Sequence, residues 1–208
     1  MPDRFEGFPL FPLGIVLLPT EIVPLHIFEE RYKLMIGECL DSGREFGIVW
    51  LSDDGLREIG CTAEVTRLLE RMEDGRMNIL VTGAKPFRTL RRIEDLPYPA
   101  GDVELLDDAD SDGDPELAAT ARDRFAELVE RATDERPADE DLAEMDAYSM
   151  AARLEFLAPD AKQELLELRS EDARLRMVGD LFSATMKRLE QAERAAERAA
   201  GNGKVPLG

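Results

Sequence analysis

The sequence predicts an α+β protein, a β-rich first half followed by a helical second half, and two observations predict it. The composition changes near residue 105: before it most glycines, prolines and β-branched residues fall in short runs, and after it Ala, Leu, Glu and Arg recur at helical spacing. Asp-Gly pairs also sit between β-forming runs of the first half, where a tight turn needs positive φ angles.

Gly14 to Leu18 is an apolar run ended by Pro19 and reads as a buried strand. Glu21 to Leu25 is extended, and its Pro24 places it at an edge or a bulge. Phe28 to Leu40 takes helical periodicity, with Tyr32, Met35, Ile36 and Leu40 on one face and Ser42-Gly43 as the stop. Phe46 to Leu51 is a strand before the turn Asp53-Asp54-Gly55. Gly60 to Leu69 and Arg76 to Thr82 form a hairpin across Glu73-Asp74-Gly75, and Phe87 to Ile93 and Gly101 to Leu106 complete a small, closed or nearly closed sheet.

Asp107 to Glu116 reads as a flexible, self-repelling acidic linker. Leu117, Ala121, Phe125, Leu128 and Ala132 then define one helical stripe, and Leu142, Met145, Ser149, Ala152 and Phe156 a second, stopped by Pro159. Asp160 with Gln163 resembles a capping box for a short third helix. Ser170 caps a fourth, with Val178, Leu181, Phe182, Thr185 and Leu189 on its stripe. The division expected is residues 1–106, a linker at 107–116, a bundle over 117–200 and a frayed tail at 201–208.

Charge and composition exclude several functions. With 45 acidic against 26 basic side chains the formal net charge is -19, which disfavours nucleic acid and anionic membrane surfaces as partners. The densest basic stretch, Arg88, Arg91 and Arg92, runs straight into Glu94-Asp95 and reads as a solvated strand end. The apolar stretch Phe8 to Leu25 is broken by four prolines and is no membrane span. Without a signal-peptide pattern and with Cys39 and Cys61 far apart, the chain reads as cytoplasmic with reduced thiols, although spacing alone leaves a disulfide open.

Catalytic chemistry finds no footing. Gly201-Asn202-Gly203-Lys204 lacks the hydroxyl residue and strand-helix setting of a phosphate loop. No G-x-S-x-G occurs, and the single histidine, His26, reads as packed or hydrogen-bonded rather than as a base. One His and two scattered Cys do not make a zinc site. Asp108, Asp110, Asp112 and Gly113, with Asp114 and Glu116, open like a calcium loop, but Ala119 stands where a bidentate Glu is needed and Pro115 interrupts. No cofactor and no metal are expected.

Phe11-Pro12-Leu13 through Pro19, then Pro24-Leu25-His26-Ile27-Phe28-Glu29-Glu30-Arg31-Tyr32, resembles the opening of the N-terminal domain of the Lon ATP-dependent proteases. Gly60-Cys61-Thr62-Ala63-Glu64-Val65, with Asn78-Ile79-Leu80-Val81-Thr82-Gly83 and Phe87-Arg88, is similar to that family's paired strands. Ala161-Lys162-Gln163-Glu164-Leu165-Leu166-Glu167 extends the likeness into the helical half. The resemblance implies a PUA-like β pseudo-barrel followed by a C-terminal α-helical bundle. It also implies a stand-alone, non-enzymatic module for unfolded or partner polypeptides, an adaptor or regulator of protein quality control, with a homo-oligomer left open. A PUA-like binder of nucleic acid or a small ligand is the alternative, and an unrecognised hydrolase the third reading.

For polypeptide binding the candidates are Pro24 and His26 in the proline-bearing segment, Trp50 before the acidic turn and Met72 at the hairpin shoulder. Phe28 and Leu25 are expected in the core, Trp50 serves equally as a barrel plug, and Glu29 with Arg31 is read first as a structural start to the helix.

Overall fold

The computed structural model describes residues 2–109, 113–154 and 157–202. Its strands are β1 (Arg4–Leu13), β2 (Ile22–Ile27), β3 (Phe46–Ser52), β4 (Gly55–Arg71), β5 (Met77–Ile93) and β6 (Ala100–Leu105), with α1 (Glu30–Ser42) between β2 and β3. Then come α2 (Pro115–Thr133), α3 (Asp139–Ala143), α4 (Ala147–Ala152), α5 (Pro159–Glu167) and α6 (Glu171–Asn202). The α+β class and its order, sheet first and helices second, are those the sequence predicts.

The sheet runs β2-β5-β4-β3-β1-β6, and a further pairing of β5 with β6 closes it into a barrel. All pairs are antiparallel except β1 with β3. The second half of β5 carries β6, from Phe87↔Leu105 to Ile93↔Ala100. Its first half carries β2 instead, from Ile22↔Thr82 to Ile27↔Met77. Among the described residues β2 pairs with β5 alone, so the edge position expected from Pro24 holds.

Several local expectations are corrected. Gly14 to Leu18 is buried at Val16, Leu17 and Leu18 but is not a strand; the strand is the preceding Arg4–Leu13. Pairing makes it so, since β1 takes its hydrogen bonds from β3 and β6, with a register shift between Phe5 and Phe8. The stripe Leu142 to Ala152 is two short helices, because Asp146 and Ser149 form a reciprocal capping box that restarts the chain at Ala147. Phe156 lies outside the described residues. Asp160 does not cap α5, whose N-cap is Ala158 with Pro159 in the first turn; Gln163 is buried and donates to the Ile59 carbonyl at 3.2 Å.

Two glycines need their freedom. Gly43 closes α1 at φ 67, the left-handed stop the sequence predicts. Gly83 donates to the Glu21 carbonyl and accepts from the Thr20 N–H, and a Cβ there would stand 2.1 Å from the Leu18 carbonyl oxygen. The approach of these two backbones admits no side chain.

One hydrophobic core cluster holds Phe11, Phe46 and Ile79 of the sheet together with Phe125 and Phe182, which meet between α2 and α6 at 5.6 Å. Polar contacts reinforce it. Lys162 of α5 pairs with Glu21, whose carboxylate also accepts the Leu18 N–H, and Arg169 donates to the Leu106 carbonyl. Within the acidic segment, Asp108 pairs with Arg174 and Asp114 accepts from the N–H groups of Glu116 and Leu117 as the cap of α2. Asp110 and Asp112 of the calcium-like pattern lie outside the described residues. Among the described residues, no helix is long and apolar enough to cross a membrane.

Candidate functional site

β2 ends at Ile27 and α1 begins at Glu30, so Phe28 and Glu29 make the corner between them. Ile27 is buried, and strand alternation turns its neighbours His26 and Phe28 outward. Phe28 is 60% exposed, contrary to its expected core position. It stands at N′ of α1, where an aromatic usually packs on the fourth helical residue; that residue is Lys33, and no apolar partner is offered. The sequence carried this signal.

The two outward rings lie nearly parallel, 21° apart in plane and 5.9 Å between centroids. His26 is fixed from the other side: its Nδ1 lies 2.6 Å from Asn78 Oδ1, and Asn78 Nδ2 donates to Glu70 Oε2 at 3.0 Å. A carboxylate only accepts, so Glu70 sets the orientation of the Asn78 amide. Asn78 Oδ1 then requires a proton on His26 Nδ1, which leaves Nε2 as the acceptor of the neutral ring. His26 is thus a hydrogen-bonded strand residue with an apolar neighbour, as the sequence reading has it.

Between β1 and this corner runs a groove of about 490 Å³, bordered by Pro12, Leu13, His26, Phe28, Leu51 and Pro99. Leu51, 53% exposed, projects into it from β3, and sequence reasoning missed it. Through Pro12, Arg31 and Pro99 the groove continues into a second cavity of about 330 Å³ reaching Leu96 and Tyr98. Arg31 is the cation of the first groove and is already engaged. Glu29 Oε2 holds it at 2.8 Å, and its guanidinium carbon sits 4.5 Å from the Tyr32 ring centre. Glu29 therefore does not cap α1 with its side chain; it pins Arg31 over Tyr32. Burial is the main cause that raises the Tyr32 pKa, with Arg31 acting against it.

Of the four candidates, Pro24 and His26 are brought together, lining a shallow depression of about 600 Å³ with Leu69 and Glu70 on the outer face of β2, β5 and β4. Trp50 is elsewhere: half-buried against the main core, with the Arg57 guanidinium 5.4 Å above its ring. Met72 is at the hairpin end, its N–H donating to the Arg76 carbonyl at 2.8 Å. The basic stretch is solvated and paired, Arg91 with Asp102 at 2.8 Å and Arg92 with the Leu56 carbonyl.

The groove can hold apolar side chains and accept or donate a few hydrogen bonds. Among the described residues its lining has no serine, cysteine or lysine, and the imidazole of His26 is turned to Asn78. Among the described residues no cluster of three or more His, Cys, Asp or Glu side chains is placed to hold a metal. Cys39 and Cys61 are both free and buried.

Comparison with known proteins gives one consistent answer. The family model of the ATP-dependent protease La (LON) substrate-binding domain matches residues 7–184. The Lon protease of Paraburkholderia phytofirmans is 26% identical over 97% of this chain, and that of Anaeromyxobacter dehalogenans 24% identical over 84%. These alignments take in only 27% and 23% of the relatives' own lengths, so the chain spans about a quarter of the curated relatives it matches. Among solved structures, a Lon N-terminal domain protein from Xanthomonas campestris superposes with a TM-score of 0.65 at 24% identity, covering 84% of this chain and 97% of that one. The N-terminal domain of Mycobacterium avium complex Lon protease gives 0.64 at 19%, covering 87% and 98%. Both likenesses establish the fold.

Proposed function

Because this chain belongs to the LON substrate-binding domain family, we propose that it binds unfolded or extended polypeptides at the groove between β1 and the β2–α1 corner, without cleaving them. One observation carries the reading: Phe28 and Leu51, both more than half exposed, flank a groove walled by Pro12 and Pro99 in which the cation is already neutralised by Glu29. Exposed apolar side chains around a concave surface with a polar rim mark a recognition site. Phe28 and Leu51 are the anchors, His26 and Pro24 the adjoining wall; Trp50 and Met72 are left outside.

The adaptor or regulator role in protein quality control, the cytoplasmic setting and the exclusion of nucleic acid belong to the same proposal. The net charge of -19 supports the last of these. The sequence, with one histidine and no phosphate-loop pattern, supports binding without catalysis.

Fluorescence anisotropy with labelled, unfolded casein tests it. The chain is expected to bind, and Phe28→Asp to weaken binding at least tenfold with an unchanged urea midpoint. Absence of binding by the parent chain, or indifference to Phe28→Asp, overturns the reading. Hydrolysis of casein without added Lon would replace it with the hydrolase.

A further inference from the structure

We propose that the polypeptide is held as an added β-strand along the free edge of β2; this rests on the proposed polypeptide-binding function and specifies its mode. Three observations fix which backbone groups that edge offers. The Gly83 N–H donates to the Glu21 carbonyl, one residue outside the Ile22↔Thr82 pair on each strand, which makes Ile22 and Thr82 a non-hydrogen-bonded pair of the antiparallel ladder. Because such pairs alternate, Val23, Leu25 and Ile27 direct their N–H and C=O groups to β5, while Ile22, Pro24 and His26 direct theirs away from it. Pro24 has no N–H to lose at a position of that kind. His26 and Asn78 are close enough across the strands to share a 2.6 Å hydrogen bond, as side chains of a non-hydrogen-bonded pair are.

The free edge therefore presents N–H donors at Ile22 and His26 and carbonyl acceptors at Ile22, Pro24 and His26. Among the described residues, no backbone or side-chain hydrogen bond outside the β2–β5 ladder reaches any of them. Ile22 is 63% exposed, and Pro24 and His26 are exposed too. The array of donors and acceptors at two-residue spacing matches the backbone of an extended polypeptide.

A second free edge in the same sheet shows that β2 is the exception. Among the described residues, β4 beyond Ala63 has no strand partner on the side away from β5, yet that stretch carries Glu64, Arg67, Glu70 and Arg71 and register shifts at Val65/Arg67 and Leu68/Glu70. Charges and bulges are the usual protections of an edge strand. β2, Ile22 to Ile27, has no Asp, Glu, Lys or Arg and no register shift, and its protection is Pro24. The occupant is a foreign segment rather than a second copy of β2. Self-pairing would set the donor-less Pro24 in both strands of a six-residue ladder, and would bring together two chains of net charge -19. The same charge favours a segment with basic residues.

The test uses the full chain and a fluorescein-labelled decapeptide of alternating valine and lysine at physiological salt. Methylating all valine amide nitrogens or all lysine amide nitrogens blocks opposite edges of the extended peptide. One set is expected to bind within twofold of the parent peptide and the other at least tenfold more weakly. Ile22→Pro removes a donor that β5 does not use, and is expected to weaken binding severalfold while circular dichroism and the urea midpoint are kept. Equal tolerance of both methylated sets, or unchanged binding by a folded Ile22→Pro chain, overturns the strand mode. If Phe28→Asp still abolishes binding in that case, the proposed function stands without it. Failure of casein and the parent peptide alike to bind the unaltered chain overturns both.

Discussion

Arg174 of α6 donates to Asp108 Oδ1 at 2.8 Å, joining the longest helix to the segment that leaves the sheet. Its side chain is 4% exposed, it also reaches Glu171 at 2.8 Å, and its guanidinium carbon lies 4.5 Å from the Tyr148 ring centre. The cation holds two partly buried carboxylates together.

Removing that cation should therefore cost more than a surface pair does. Arg174→Met keeps a flexible side chain over Tyr148 but leaves Asp108 and Glu171 facing each other, and should lower stability by about 3 kcal/mol at neutral pH. Burial already raises the Glu171 pKa above its ordinary value, with the Ala147 N–H and Arg174 opposing the rise. A carboxyl whose folded-state pKa is raised binds its proton more tightly when folded, so its contribution is present at low pH and lost as pH rises through the folded pKa. In the variant the rise should grow, and the deficit should shrink between pH 7 and pH 5. Urea unfolding at the two values measures it.

Gly83 gives a sharper steric prediction. The first atom a Cβ would meet is the Leu18 carbonyl oxygen at 2.1 Å, a backbone atom of a buried loop that cannot swing away. Gly83→Ala should destabilise the chain by about 2 to 3 kcal/mol, at the upper end of overpacking costs. Gly14 is the control, since a Cβ added there would meet no atom within 4 Å and its φ is not positive. Gly14→Ala should change stability by less than about 0.5 kcal/mol. Equal effects of the two would refute the close-approach argument.

What the sequence made legible follows from which forces act locally. The Asp-Gly turns, the Gly43 stop, the edge placement of β2 and the helical half were readable because turn chemistry and periodicity are properties of neighbouring residues. β1 was not, since Gly7, Pro9 and Pro12 interrupt the strand pattern of Arg-Phe-Glu-Gly-Phe-Pro-Leu-Phe-Pro-Leu, and it is made a strand by partners 37 and 91 to 100 residues away. At the site, Pro24 announced the open edge, but apolarity alone sent Phe28 to the core. The missing apolar partner at Lys33 was the available correction. Leu51 had no such sign, because the register shift between Val49 and Leu51 decides which way it points.

The tyrosines predict the alkaline limit. All three are raised: Tyr98 to about 12, by burial first and then its hydrogen bond to Glu38; Tyr148 to about 12, by burial against the pull of Arg174; and Tyr32, by burial. For each, the folded state keeps its proton where the unfolded chain loses it near pH 10. Their contribution is full below pH 10 and is lost as pH rises through each folded-state pKa, for Tyr98 and Tyr148 toward 12. Absorbance at 295 nm should show Tyr98 and Tyr148 absent from any phenolate step near pH 10 in the native chain, then a cooperative rise coincident with loss of ellipticity. In guanidinium the three should titrate together near pH 10. A native step at pH 10 counting two or more tyrosines would contradict the burial assigned to Tyr98 and Tyr148.

The two thiols supply a clock for local and global opening. Cys39 is buried on α1 and burial pushes its pKa to about 11; Cys61 is fully buried on β4, where burial raises its pKa further and its Sγ donates to the Thr62 carbonyl at 3.3 Å. Thiol reagents attack the thiolate, so at pH 8 neither should react in the native chain at the rate of a free cysteine. Cys39 needs only α1 to lift from the barrel, whereas Cys61 lies between β3 and β5 and requires the ladder to open. Ellman's reagent should therefore modify the two in sequence, Cys39 first. The second rate should fall in step with added stability and match the global unfolding free energy under fast-closing conditions. Equal native rates at both positions would place Cys61 in a locally opening segment and contradict its position in the barrel wall.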